Sequence, residues 1–157
     1  EIVHRLITTA NAGARVLFFA GGGTNGPVER YSAYTLAKIA SIKIVELLDF
    51  EESQICFSIL GPGWVKTKIH DTTIKSGEMA GQNRKETIRR LKEDDMFPME
   101  RVLERVDWIL MSDPQLVGGR NFSAVHDPFF RSDFPDFLMS NPNNYKLRRF
   151  GNDYWDN

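Results

Sequence analysis

Residues 14–34 read ARVLFFAGGGTNGPVERYSAY, and the fold turns on how this stretch is divided. Arg15 to Ala20 (RVLFFA) is a nearly unbroken apolar run, the mark of a strand covered on both faces. Gly21 to Gly26 then spell GGGTNG, a literal G-x-G-x-x-G of the kind that cradles a dinucleotide pyrophosphate. Its context argues against that use. A dinucleotide fold places an acid at the end of the next strand to bind the ribose hydroxyls, whereas here the next strand ends Leu60-Gly61-Pro62. Pro27 also follows the third glycine directly, where the fingerprint needs a helix already packed on its strand. The loop reads as a glycine-rich passage from a strand into a helix.

Outward from this stretch, EIVHRLITTA opens the chain in what looks like mid-helix, without initiator methionine or cap, and the helix ends near Asn11-Ala12-Gly13. That opening suggests a fragment or a trimmed chain. After the loop, Tyr31 to about Asp49 forms a long helix. Its apolar residues cover more than half the circumference, so it packs on a sheet and on something else as well. Gln54 to Leu60 (QICFSIL) is a second buried strand, and Asn121 to Val125 a third, following Gly118-Gly119. Residues 66–97 are polar, with a helix from about Arg84 to Glu93. An amphipathic helix follows over 98–112 and is stopped by Asp113-Pro114. From Asp127 the tail is irregular and aromatic, carrying Phe129, Phe130, Phe134, Phe137, Tyr145, Phe150, Tyr154 and Trp155.

Strand, helix, strand, helix, strand is the grammar of a parallel sheet with flanking helices, so the expected class is α/β. Three strands are few for a doubly wound sheet, and the first strand would leave Phe18 and Phe19 on an open edge. An upstream half, a second copy or another chain is expected to cover it.

Tyr34 and Lys38 are four residues apart on the long helix and so share one face. An ordinary tyrosine titrates near ~10, and a neighbouring ammonium favours the phenolate. Such a pair can give and take a hydroxyl proton while hydride moves at the adjacent carbon. Beyond the second strand, Gly61-Pro62-Gly63-Trp64-Val65-Lys66-Thr67 places P-G-x-x-x-T at a strand's carboxyl end, where open α/β sheets bind ligands.

With these motifs in order, residues 1–127 resemble the carboxyl-terminal half of a short-chain dehydrogenase/reductase domain, a Rossmann-like fold. The resemblance implies an NAD(P)-dependent oxidoreductase that interconverts a small alcohol and a carbonyl, with Tyr34 as general acid/base. Lys38 would hold the nicotinamide ribose and tune Tyr34. The backbone of Pro62, Gly63, Trp64 and Val65 would lie against the nicotinamide, and Thr67 would bond its carboxamide or the pyrophosphate. Residues 66–97 would form the substrate lid, and 128–157 a tail packing on the domain or on a neighbouring subunit. A homodimer or homotetramer through the first helix and the Tyr34 helix is implied as well.

The pattern departs in two places. The family's serine, thirteen residues before the tyrosine, falls on Gly21, which leaves Thr24 or a loop N–H as the substitute donor. The half that would carry the family's own cofactor loop is not in these residues, so the isolated chain is expected to be inactive and to bind NAD or NADP poorly. Two other readings compete: a nucleotide-sugar epimerase or dehydratase sharing the tyrosine–lysine pair, and a non-catalytic scaffold or regulatory relative, favoured by Gly21.

Composition bounds the rest. With 41% apolar and 26% charged residues and a formal net charge of −1, no nucleic-acid or anionic-membrane partner is expected. The single Cys56 excludes an internal disulfide and reads as a buried inert thiol, and no signal pattern is present, so a cytoplasmic protein is expected. The Asn121-Phe122-Ser123 glycosylation triplet lies in an expected strand and carries no weight. His4, His70 and His126 are scattered, without metal-ligand spacing; only His70, in the lid, is a candidate near substrate. Met96 and Phe97 are candidates to line the same pocket, with ordinary packing as the competing reading.

Overall fold

Successive side chains of the central strand enter two different cores. Ile55, Phe57 and Ile59 join Ala20, Ile42 and Val45 on one side, while Cys56 and Leu60 join Val102, Ile109, Val117, Phe122, Phe129, Phe134 and Leu138 on the other. All six residues from Ile55 to Leu60 are buried, so the apolar run in the sequence is a strand covered twice, with Ser58 bonded to the Val117 carbonyl at 3.0 Å. Burial of one such large side chain stabilises the fold by roughly 1.5–3 kcal/mol.

The computed structural model describes residues 2–150. Tyr154 and Trp155 lie outside the described residues, as does the side chain of His4. The elements run α1 (Ile2–Thr9), β1 (Ala14–Phe19), α2 (Ser32–Glu51), β2 (Ile55–Gly61), α3 (Ile69–Lys75), a 3-10 turn (Gly77–Ala80), α4 (Gly81–Glu93), α5 (Met99–Met111), α6 (Pro114–Val117), β3 (Asn121–Ser123) and α7 (Phe134–Ser140). The sheet has the order β1-β2-β3 and both pairings are parallel, with Phe19 opposite Leu60 and Leu60 opposite Phe122. The chain is therefore α/β, a small parallel sheet with helices on both faces. Among the described residues, no helix is long and apolar enough to cross a membrane.

Several elements differ from their sequence reading. β3 stops at Ser123 because Asp127 turns the chain back, its carboxylate accepting the Ser123 N–H at 2.6 Å. Asp113-Pro114 ends α5 and at once starts α6, the Asp113 carboxylate capping the Gln115 N–H at 2.9 Å. Residues 69–80 hold a helix and a 3-10 turn that their polar composition did not announce. The tail is less irregular than expected, since α7 places Phe134 and Leu138 in the core beside Phe129, Trp108 and Tyr145. Phe130, Phe137 and Phe150 remain exposed.

Arg120 fastens this tail. Its buried guanidinium donates to the Leu138 carbonyl at 2.8 Å and to the Asn144 carbonyl at 2.5 Å, and burial pushes its pKa down. On the opposite side, α2 buries Ile42 and Val45 against the sheet but leaves Leu36, Ile44, Leu47 and Phe50 exposed. β1 is paired along one edge, with Phe19 half exposed at its end.

Candidate active site

Because both strand pairings are parallel, the loops after β1, β2 and β3 leave from one end of the sheet. There the Ala20 N–H donates to the Leu60 carbonyl at 2.9 Å and the Ala124 N–H to the Gly61 carbonyl at 2.9 Å, so the three exits are stitched together. The glycine loop lies over the first turn of α2. A Cβ on Gly21 would meet the Tyr34 hydroxyl and lie 2.8 Å from Tyr34 Cζ, and one on Gly23 would lie 2.5 Å from Thr35 Cγ2. Gly23 also has φ near 101°, open to glycine at no steric cost. Gly21 and Gly23 thus serve close packing of a helix against a strand end, whereas a Cβ on Gly22 or Gly26 would meet nothing within 4 Å.

Tyr34 is at the surface of this end, about two-fifths exposed at 37%. Lys38 stands one turn further on, as its spacing requires, but its ammonium does not reach the phenol oxygen. Nζ donates to the Phe19 carbonyl at 2.9 Å and lies 5.8 Å from the centre of the Tyr34 ring. Partial burial, with Tyr31 alongside, pushes the Tyr34 phenol above its ordinary value. The Lys38 ammonium, bonded to the Phe19 carbonyl, is not among the causes of this shift. Thr24 is half-buried in the loop and makes no hydrogen bond to Tyr34.

The second motif begins at the neighbouring strand end. Gly63 has φ near 78°, and its missing side chain leaves room for Val125. Trp64 stacks parallel on His70, ring centres 5.6 Å apart, and the Arg90 guanidinium lies 5.1 Å from the same ring. The Trp64 carbonyl accepts the Phe97 N–H at 2.7 Å. Val65 is buried, and its carbonyl is 2.7 Å from His70 Nε2. His70 is therefore buried, stacked on the Trp64 ring and tied to the Val65 carbonyl. Phe97 packs on the core and takes the reading of ordinary packing. Thr67 is exposed, its carbonyl receiving the His70 N–H at 3.3 Å.

Segment 66–97 docks over the residues just before α2. The Tyr31 hydroxyl is 3.0 Å from Thr73 Oγ1, and the Tyr31 ring meets Tyr34 edge-on, centres 5.9 Å apart at 81°. Tyr31 is a residue the motif reading passed over. Its spacing of three from Tyr34 marks it as a neighbour on the same helix face, but nothing local points to Thr73. At the far end of α4, Glu86 is held by Arg89 and Arg90, which also reach Asp95, and Arg89 pairs with Glu93 as well; the Glu86 carboxyl is pulled down to about 2.

Structure brings Tyr34, Lys38 and the Pro62–Thr67 bend to one end of the sheet and leaves the Thr24 hydroxyl without a bond there. Cys56 is buried, and its thiol is pushed up chiefly by burial. Among the described residues, no group of three or more His, Cys, Asp and Glu is disposed to hold a metal ion. No family model, no curated protein and no solved structure matches this chain.

Proposed function

We propose that this chain carries the catalytic part of an NAD(P)-dependent oxidoreductase that interconverts an alcohol and a carbonyl, a Rossmann-like half-domain of the short-chain dehydrogenase/reductase type. One observation carries the reading: a partly exposed phenol and an ammonium on one helix face stand at the same sheet end as the proline–glycine bend. Tyr34 would take the hydroxyl proton in oxidation and return it in reduction. The bound nicotinamide would accept or supply the hydride.

The residues present fit such a cofactor in part. An ammonium has three N–H donors, and Lys38 spends one on the Phe19 carbonyl, leaving two for ribose hydroxyls. Thr67 is exposed for a carboxamide or phosphate oxygen, and the Pro62–Val65 backbone would form the floor. Gly21 supplies no hydroxyl to the substrate oxygen, and loss of one such donor typically costs about 3–4 kcal/mol in the transition state. Thr24 or a loop N–H is the candidate replacement. The exposed apolar side of α2, with Leu36, Ile44, Leu47 and Phe50, supports self-association through this helix.

A non-catalytic role is the second reading, favoured by the Tyr34 hydroxyl lying against Gly21 and by Lys38 being tied to the Phe19 carbonyl. Hydride transfer measured for wild type and Tyr34→Phe in the polypeptide as its reading frame encodes it separates the two. Loss of turnover with unchanged folding supports the enzyme; no turnover in either protein supports the scaffold.

A further inference from the structure

Three consecutive residues ahead of α2 are bonded to the lid segment. The Glu29 carbonyl accepts from Asn83 Nδ2 at 3.4 Å, Arg30 Nη1 donates to the Glu78 carbonyl at 2.9 Å, and the Tyr31 hydroxyl pairs with Thr73 at 3.0 Å. Arg30 has φ near 61°, a left-handed backbone that a non-glycine residue adopts only where its surroundings enforce it. Gly81 presses on the Arg30 side chain, where a Cβ would come within 3.3 Å of Arg30 Cδ. The short stretch Glu29–Tyr31 is thus shaped by the segment docked on it.

From this geometry we infer that Tyr31 is a positioning residue which couples the phenol of Tyr34 to the docking of segment 66–97. Its two ends do separate work. The hydroxyl is fixed by Thr73 on α3, and the ring, on the residue that precedes α2, lies edge-on against Tyr34 three residues on. When α3 lifts away, the Tyr31–Thr73 bond breaks and the ring is free to turn. Tyr34 then loses a neighbour and gains water. Burial, and secondarily the charge of an ionised Tyr31, raise the Tyr34 pKa; on this inference docking adds to that burial through the fixed Tyr31 ring, and undocking eases ionisation. Lys38, 5.8 Å from the ring and bonded to the Phe19 carbonyl, is the nearby cation and stays on α2 throughout. Consequences for turnover rest on the proposed role of Tyr34; the coupling itself does not.

The test uses the 157-residue chain with 13Cζ-labelled tyrosine, Tyr34→Phe assigning the Tyr34 signal among the four tyrosines. Tyr31→Phe keeps the ring and deletes the hydroxyl, and Thr73→Val deletes the same bond from α3. Each is expected to speed amide exchange across residues 69–80 by about fivefold or more, and to lower the Tyr34 titration midpoint. The double variant should add little to either single one. An unmoved Tyr34 midpoint in Thr73→Val, whether or not exchange rises, overturns the coupling, since Tyr31→Phe also removes the charge of Tyr31. A lowered midpoint in a protein whose full polypeptide shows no hydride transfer leaves the coupling standing and removes the oxidoreductase reading.

Discussion

The phenol of Tyr34 stands where a side chain on Gly21 would have to go. A Cβ there would come within 2.8 Å of Tyr34 Cζ, closer than real contacts allow, and lie 3.0 Å from Lys38 Cγ, a tight approach. Gly21 is not in the left-handed region, so a substitution is penalised by crowding rather than by backbone strain. Gly21→Ala should cost about 1–3 kcal/mol in urea unfolding, the usual range for an overpacked site. In a Tyr34→Ala background the same substitution should cost markedly less, since the clash is gone. Additive costs would show that the two positions do not meet.

Asp49 gives a pH signature of definite sign. Its carboxylate is half-buried against Gly118, where a Cβ would lie 2.5 Å from Oδ2, and it accepts the Phe57 N–H at 2.9 Å. Desolvation raises its pKa, with the Phe57 N–H, Lys146 and Cys56 pulling the other way. A carboxyl whose folded value lies above its unfolded value of about 3.9 contributes stability below that pH and loses it as pH rises through the folded value. Asp49→Asn keeps an acceptor and cannot ionise. Urea midpoints from about pH 3.5 upward should therefore decline less with pH in the variant than in wild type. Glu86 works in the opposite sense: held down to about 2 by Arg89 and Arg90, it contributes above its ordinary 4.5 and fades as pH falls through about 2. Being solvent-exposed, that contribution should shrink in salt.

Much of the architecture is legible in the sequence because its signals are periodic or continuous. The run ICFSIL reads as a doubly covered strand and is one, and YSAYTLAKIASIKIVELLD has an apolar surface too wide for one contact, of which Leu36, Ile44 and Leu47 remain exposed. Counting thirteen back from Tyr34 finds Gly21, the residue its hydroxyl touches. What local spelling does not carry are relationships closed by distant partners. Tyr31 and Thr73 are 42 residues apart, and α3 is a seven-residue helix of ordinary polar composition held by docking. Nothing local marks Arg120 for burial, yet it is buried, with two carbonyls of the tail accepting from it. The Trp64 ring, for which the sequence assigns no partner, is engaged with His70 and Arg90.

Arg120 should be more than a packing residue. Its guanidinium bonds two backbone carbonyls, one in α7 and one in the turn after it. Arg120→Ala removes two charge-assisted bonds of roughly 1.5–3 kcal/mol each, partly offset by release of the desolvation cost of a buried cation. A net loss of about 2 kcal/mol in urea unfolding is expected, with early exchange of amides in residues 138–146. Arg120→Lys should rescue incompletely, because an ammonium lacks the fork that spans both acceptors. Full rescue by lysine would mean that the charge alone matters.

Exposed Leu36, Ile44, Leu47 and Phe50 on α2 predict self-association. Light scattering coupled to size exclusion should give an oligomer for wild type and a smaller species for Leu36→Glu with Leu47→Glu, whose exposed sites leave the sheet-facing Ile42 and Val45 untouched. A monomeric wild type at tens of micromolar would leave that face without the proposed use.

The most direct measurement is hydride transfer, followed by nicotinamide absorbance, for wild type and Tyr34→Phe in the polypeptide as its reading frame encodes it. A panel of small alcohols and carbonyls would be run with each cofactor. If the phenol is the proton-transferring group, Tyr34→Phe lowers kcat at least ~10²-fold while the melting profile stays that of wild type. Turnover by Tyr34→Phe at the wild-type rate would contradict it.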